Sequence, residues 1–167
     1  MHDMTEQNLR AAFAGESQAH MKYLIFADKA EEEGYPNIAR LFRAIAHAER
    51  VHATNHFNVL GELDGSSDNL MAAVNGENYE VDEMYPAFDA VAKMQGERGA
   101  QRSIHYAIEA EKIHAALYTQ AKESVEAGSD LNIKKVQICE ICGYTSIGDV
   151  PDRCPVCGAL KDKFTAF

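Results

Sequence analysis

Two stretches of the chain repeat one pattern: Glu49-Arg50-Val51-His52 and Glu111-Lys112-Ile113-His114, each a Glu-x-x-His. On a helix, residues three apart are neighbours on one face, so each carboxylate points the same way as its imidazole. The side they share is apolar: Ile38, Leu41, Phe42 and Ile45 precede the first pair, and Ile104 and Ile108 the second. A Glu on a core-facing stripe needs a partner. Two carboxylates, each backed by an imidazole, make half of a metal cage. A second donor set lies near the end of the chain. Cys139, Cys142, Cys154 and Cys157 form two Cys-x-x-Cys pairs, with eleven residues between Cys142 and Cys154. Four thiolates so spaced hold one tetrahedral metal ion, and spacing alone leaves zinc and a single iron both open.

These donors need helices to hold them. Asp3 with Glu6 reads as a capping box. The helix that follows carries Leu9, Phe13, Tyr23 and Phe26 on one stripe, with Glu16 among them, and stops at Gly34. Pro36 opens a second helix over about Asn37–Leu60. Gly61–Asn69 has no apolar period and reads as a linker. A third helix carries Glu77, Glu80 and Glu83 at spacing three, and Pro86 should kink it. Gly96–Gly99 is a turn, and a fourth helix runs over about Ala100–Ala127. Counted from the two Glu-x-x-His pairs, Gly34 falls on Gly96, Phe26 on Phe88 and Tyr23 on Tyr85. The halves are therefore a repeat, and Glu16 falls level with the Glu77–Glu83 cluster without selecting a member. Two such hairpins predict an all-α four-helix bundle. Bundles of this kind build di-iron sites from one Glu on each of two helices and Glu-x-x-His on each of the other two. His20, His47, His56 and His105 read as supporting or surface residues.

Past Gly128 the character changes. Residues 129–137 form a polar tether, and 138–167 hold the cysteine knuckles. Roughly 30 residues bury too little to fold unaided, so metal must serve as their core. The expected domains are thus 1–128, 129–137 and 138–167. A net charge of −10 argues against nucleic-acid or anionic-membrane partners. No apolar run reaches the length of a membrane span. Met1–Glu6 does not read as an export signal, so a cytoplasmic setting is expected.

Phe13-Ala14-Gly15-Glu16-Ser17, Ala48–His52, Glu80–Pro86 and Glu111–His114 resemble the four iron-binding segments of the rubrerythrin family. The terminal knuckles resemble its rubredoxin-like domain. The resemblance covers essentially the whole chain. It implies a ferritin-like di-iron bundle followed by a rubredoxin-like iron–tetrathiolate domain: two irons at the Glu/His site and one on Cys139, Cys142, Cys154 and Cys157. By that resemblance Glu16 and Glu80 are terminal ligands, Glu49 and Glu111 bridge, and His114 binds one iron. Glu83 and His52 exchange on the other with redox state and carry the catalysis, and Glu77 is not a ligand.

The activity it implies is reduction of hydrogen peroxide to water, in oxidative-stress defence. Rubredoxin or another reductase would supply electrons, since the chain has no nucleotide-binding glycine loop. Homodimers or larger assemblies are expected, and the Gly61–Asn69 linker would permit exchange of helix pairs between subunits. The tether favours delivery of electrons to a neighbouring subunit. Two rivals remain at this level. One is a ferroxidase or iron-handling protein using dioxygen, which leaves the four-cysteine centre without purpose. The other is a zinc-ribbon binding module, which leaves the carboxylates unexplained.

Overall fold

The computed structural model describes residues 1–167. Four long helices in two hairpins precede a small strand-containing domain with a four-cysteine cluster. No helix is long and apolar enough to cross a membrane. The chain divides into two compact units, Met1–Asp64 and Gly65–Phe167. The division falls inside the expected linker.

The first unit is a hairpin of α1 (Asp3–Glu32) and α2 (Pro36–Leu60). Gly34 makes the turn with φ at +81°, a conformation that costs glycine little. Pro36 sits in the first turn of α2, where no N–H is needed. The helices meet through small residues. Ala39, Ala46 and Ala53 recur every seven residues along α2 and are buried, as are Ala27 and Ala30 on α1. That period keeps one seam of α2 against α1. The capping box expected at Asp3 does not form. His2 is the cap residue without a side-chain bond, and the Glu6 carboxylate accepts from Arg10 instead.

The second unit holds α3 (Ser66–Tyr79), a π turn (Glu80–Met84), α4 (Tyr85–Gln95) and α5 (Arg98–Glu126). The expected kink at Pro86 takes the form of this π turn. Proline has no N–H, and its ring clashes with the carbonyl four residues back, here Asp82. The helix answers by widening: the Tyr85 N–H donates to the Glu80 carbonyl, five residues back. Strands β1 (Val136–Cys139), β2 (Thr145–Ile147) and β3 (Phe164–Ala166) then form an antiparallel sheet in the order β2-β1-β3.

Alanines seal the hairpins, so larger apolar side chains are left outside those seams. Ile38, Leu41 and Ile45 on α2 are exposed, as are Phe88 and Val91 on α4. The stripe expected to be core is therefore not covered within its own hairpin.

Candidate metal centres

The knuckles place the cysteines first. Cys139 ends β1, and the turn through Gly143, with φ at +77°, brings Cys142 back beside it. No pair is disulfide-bonded. The Cys139–Cys157 and Cys142–Cys154 sulfurs are 3.7 and 3.5 Å apart. A tetrahedron with metal–sulfur arms of about 2.3 Å has edges of about 3.8 Å, so the pocket already has the size of a metal–tetrathiolate. Burial raises the Cys142 thiol's pKa well above its ordinary value, which makes an unmetallated cluster unfavourable to ionise. Burial acts on Cys154 in the same sense, but hydrogen bonds from the Cys157 and Val156 amides and from the Cys142 and Cys157 thiols lower it on balance.

Each helical hairpin carries one carboxylate–imidazole triad. In the first, donor atoms of Glu16, Glu49 and His52 lie within 4.8 Å of one another; in the second, those of Glu77, Glu111 and His114 do. The His52 Nδ1 is 2.9 Å from Glu49 Oε2, and the His114 Nδ1 is 2.6 Å from Glu111 Oε2. The two imidazoles differ in freedom. His52 is 53% exposed, whereas His114 is 28% exposed and its Nε2 is also bonded, to Thr145 Oγ1.

The second triad is electrostatically short of positive charge. Burial, then the Glu111 carboxylate, push Glu77 up to about 7. Burial and Glu111 raise Glu80 as well, and Tyr85 is raised by burial and then by Glu80, Glu111 and Glu77. A cation among these groups reverses that repulsion. The donors present therefore fit a metal.

The structure groups the acidic cluster differently from the expected ligand set. Glu77, set aside by the resemblance, stands with Glu111 and His114, and Glu80 lies within reach of the Glu111 charge. Glu83, expected as a ligand, is exposed and belongs to neither triad. The π turn is the reason. It takes more residues per revolution than an α turn, so Glu83 falls off the line of Glu77 and Glu80. The same turn inserts one residue into the second hairpin. Upstream of it the repeat offset drops by one, and Glu16 then falls on Glu77. A one-residue slip in the repeat ahead of Pro86 was the signal available in the sequence. His20 belongs to neither triad, and its Nδ1 bonds the Ala46 carbonyl.

Sequence comparisons decide the family. The model described as Rubrerythrin matches residues 7–122, and the one described as Rubrerythrin, rubredoxin-like domain, matches residues 137–165. The chain belongs to the rubrerythrin family. It is 49% identical to Rubrerythrin-2 of Clostridium acetobutylicum, over 98% of this chain and 97% of that one. It is 38% identical to nigerythrin of Nitratidesulfovibrio vulgaris, over 98% of this chain and 86% of that one. Solved structures of nigerythrin in mixed-valent and all-ferrous states match with TM-scores of 0.57 and 0.58, at 38% identity over 98% of this chain and 86% of theirs. This rubrerythrin-family chain thus carries the donors of a di-iron-type Glu/His site and of a four-cysteine rubredoxin-like iron centre.

Proposed function

We propose that this chain is a non-haem di-iron peroxidase that reduces hydrogen peroxide to water, with electrons entering through the iron–tetrathiolate centre. The observation that carries this reading is the presence of two carboxylate–imidazole triads and a four-thiolate cluster in one chain. Two ferrous ions supply the two electrons that cleaving one O–O bond requires. The proposed ligands are Glu16, Glu49 and His52 from one hairpin and Glu77, Glu80, Glu111 and His114 from the other. Glu49 and Glu111, each bonded to its own histidine, are rigid anchors. His52 is held less tightly than His114, which supports a role for His52 as the ligand that comes and goes with redox state. Glu77 and Glu80 take the part that sequence reasoning gave to Glu80 and Glu83. Burial, then the Glu111 charge, raise both carboxylates, which supports a cation in this half of the site.

The sequence carries no nucleotide-binding glycine loop, and a rubredoxin or another reductase is the proposed electron donor. A second copy of the chain is the proposed cover for the exposed Ile38, Leu41, Ile45, Phe88 and Val91. The family's helical domain is a bundle, and a further hairpin of matching stripe is the natural complement.

A ferroxidase using dioxygen is the competing reading, and the four-thiolate cluster argues against it. Mixing the anaerobically reduced protein with equal concentrations of peroxide or dioxygen separates the two. Faster reoxidation of the Glu/His site by peroxide is expected. Equal or faster reoxidation by dioxygen would sink the peroxidase reading.

A further inference from the structure

Past the π turn the two hairpins keep the register that sets Gly34 on Gly96, so each residue of one has a counterpart in the other. The ends nearest those glycines are built differently. In the first hairpin that end is sealed by Ala27, Ala39 and Ala46, each 0% exposed. Their counterparts in the second are Asp89, Gln101 and Ile108. Alanines let two helices close on one another, and longer side chains in their places do not. A cavity of about 390 Å³ opens there between α4 and α5, lined by Asp89, Gln101 and Ile108 with Lys93, Arg102 and His105. Gln101 bridges the two helices, its amide donating to the Ala92 carbonyl at 3.3 Å.

The nitrogen donors of that end are kept in both hairpins, while their partners are kept only in the first. Arg40 donates to Asn37 Oδ1 at 3.0 Å, and Arg43 pairs with Asp28 at 3.1 Å and with Glu31. The counterparts of these two arginines are Arg102 and His105. The counterparts of their three partners are Gly99, Ala90 and Lys93, which offer no acceptor side chain at all. Arg102 and His105 accordingly make no hydrogen bond or ion pair, and His105 only sets its ring beside Tyr106, with centroids 6.2 Å apart. Lys93 donates to Asp89 at 2.5 Å, which leaves two of its three N–H groups free. In a chain of net charge −10, this cavity gathers unpaired donors where the other hairpin has neutralised them.

We propose that the cavity between α4 and α5 binds a small phosphate monoester, its phosphate held by Arg102 with His105 and Lys93 and its organic body resting on Ile108. A guanidinium grips an oxyanion through two parallel N–H bonds. Three separate donor groups suit the three terminal oxygens of a phosphate better than the two of a carboxylate. The cavity has room for about a dozen waters, more than inorganic phosphate alone displaces. A few convergent polar groups beside an apolar wall are the usual make-up of a small-ligand site. Asp89, although paired with Lys93, repels a broad acidic protein surface more than it repels one compact group, so a small molecule is favoured over an acidic protein. The site lies apart from both metal-donor sets, and nothing in its assignment rests on the peroxidase reading.

The test uses the full chain with Zn²⁺ at its metal centres, titrated with phenyl phosphate in a chloride buffer while the amide NMR signals are followed. Saturable shifts confined to Asp89–Lys93 and Gln101–His105 are expected. Arg102→Ala should weaken this binding by about tenfold or more. Arg40→Ala, at the matching position of the first hairpin, should leave it unchanged. Ala90→Asp restores the acid that the first hairpin sets against Arg43. It should weaken binding by about tenfold with helical circular dichroism unchanged. Inorganic phosphate and benzoate separate the head from the body, and each should bind about tenfold more weakly than phenyl phosphate. Phosphate held by zinc instead would shift amides near Glu111 and His114 and ignore Arg102→Ala, which overturns the proposal. No saturation at millimolar phenyl phosphate, or benzoate or inorganic phosphate binding as tightly, overturns it too.

Discussion

Glu80 and Glu83 stand three residues apart at the two sides of one π turn, and they occupy different worlds. Glu80 feels the charge of Glu111, while Glu83 is exposed. The turn between them exists because Pro86 prevents an ordinary helical bond.

The ligand assignment follows from that separation. Glu77→Ala should lower iron at the Glu/His site from two ions toward one per chain, whereas Glu83→Ala should leave two. Metal analysis of both variants, with the thiolate-bound iron subtracted from its red absorption, checks this. Retention of both irons by Glu77→Ala would return Glu77 to the position the resemblance first gave it.

The metal-free protein should lose stability as pH rises. Glu77 titrates at about 7 in the folded chain, against an ordinary value of 4.5. Between those values the folded state holds more protons than the unfolded one, so each rise in pH favours unfolding. The loss is complete above about pH 7 and amounts to on the order of 1 kcal/mol once solvent screening is allowed for. Glu77→Gln should raise the apo-protein Tm at pH 8 by about 2–4 °C and flatten its dependence on pH. Thermal melts at a series of pH values measure both.

Cys142→Ser should abolish the red absorption of the tetrathiolate centre while the helices remain, because the hairpins pack through their own alanines. Steady-state turnover with an external donor should then collapse. A single oxidation of the chemically reduced Glu/His site should persist. Circular dichroism, visible spectra and stopped-flow mixing are the measurements. Full steady-state turnover would show that electrons enter elsewhere.

Leu41 tests the assembly. It is 59% exposed within the chain. If a second copy covers it, Leu41→Glu should shift the protein to a smaller species in sedimentation and lower its Tm. A surface position touching nothing would change stability by no more than about 0.5 kcal/mol.

The sequence by itself determined the chemistry of the donors and the elements that carry them. Glu49–His52 and Glu111–His114 are local pairs, set by the pitch of a helix whatever it packs against. Each cysteine knuckle is a local turn visible in the sequence, while the fold brings the two together, with Cys139 beside Cys157 and Cys142 beside Cys154. The glycine turns at Gly34 and Gly96 and the repeat between hairpins are likewise visible as residue types at fixed spacing. The tertiary structure decided what depends on distant atoms or on a departure from regular pitch. Glu77 rather than Glu83 stands beside Glu111 and His114 because of a π turn, which shifts every earlier residue by one place. The two histidines look alike as motifs, yet only His114 meets Thr145, which follows it by 31 residues. No helical period encodes that contact, because it is made by a ridge of α5 and a strand that folds back upon it.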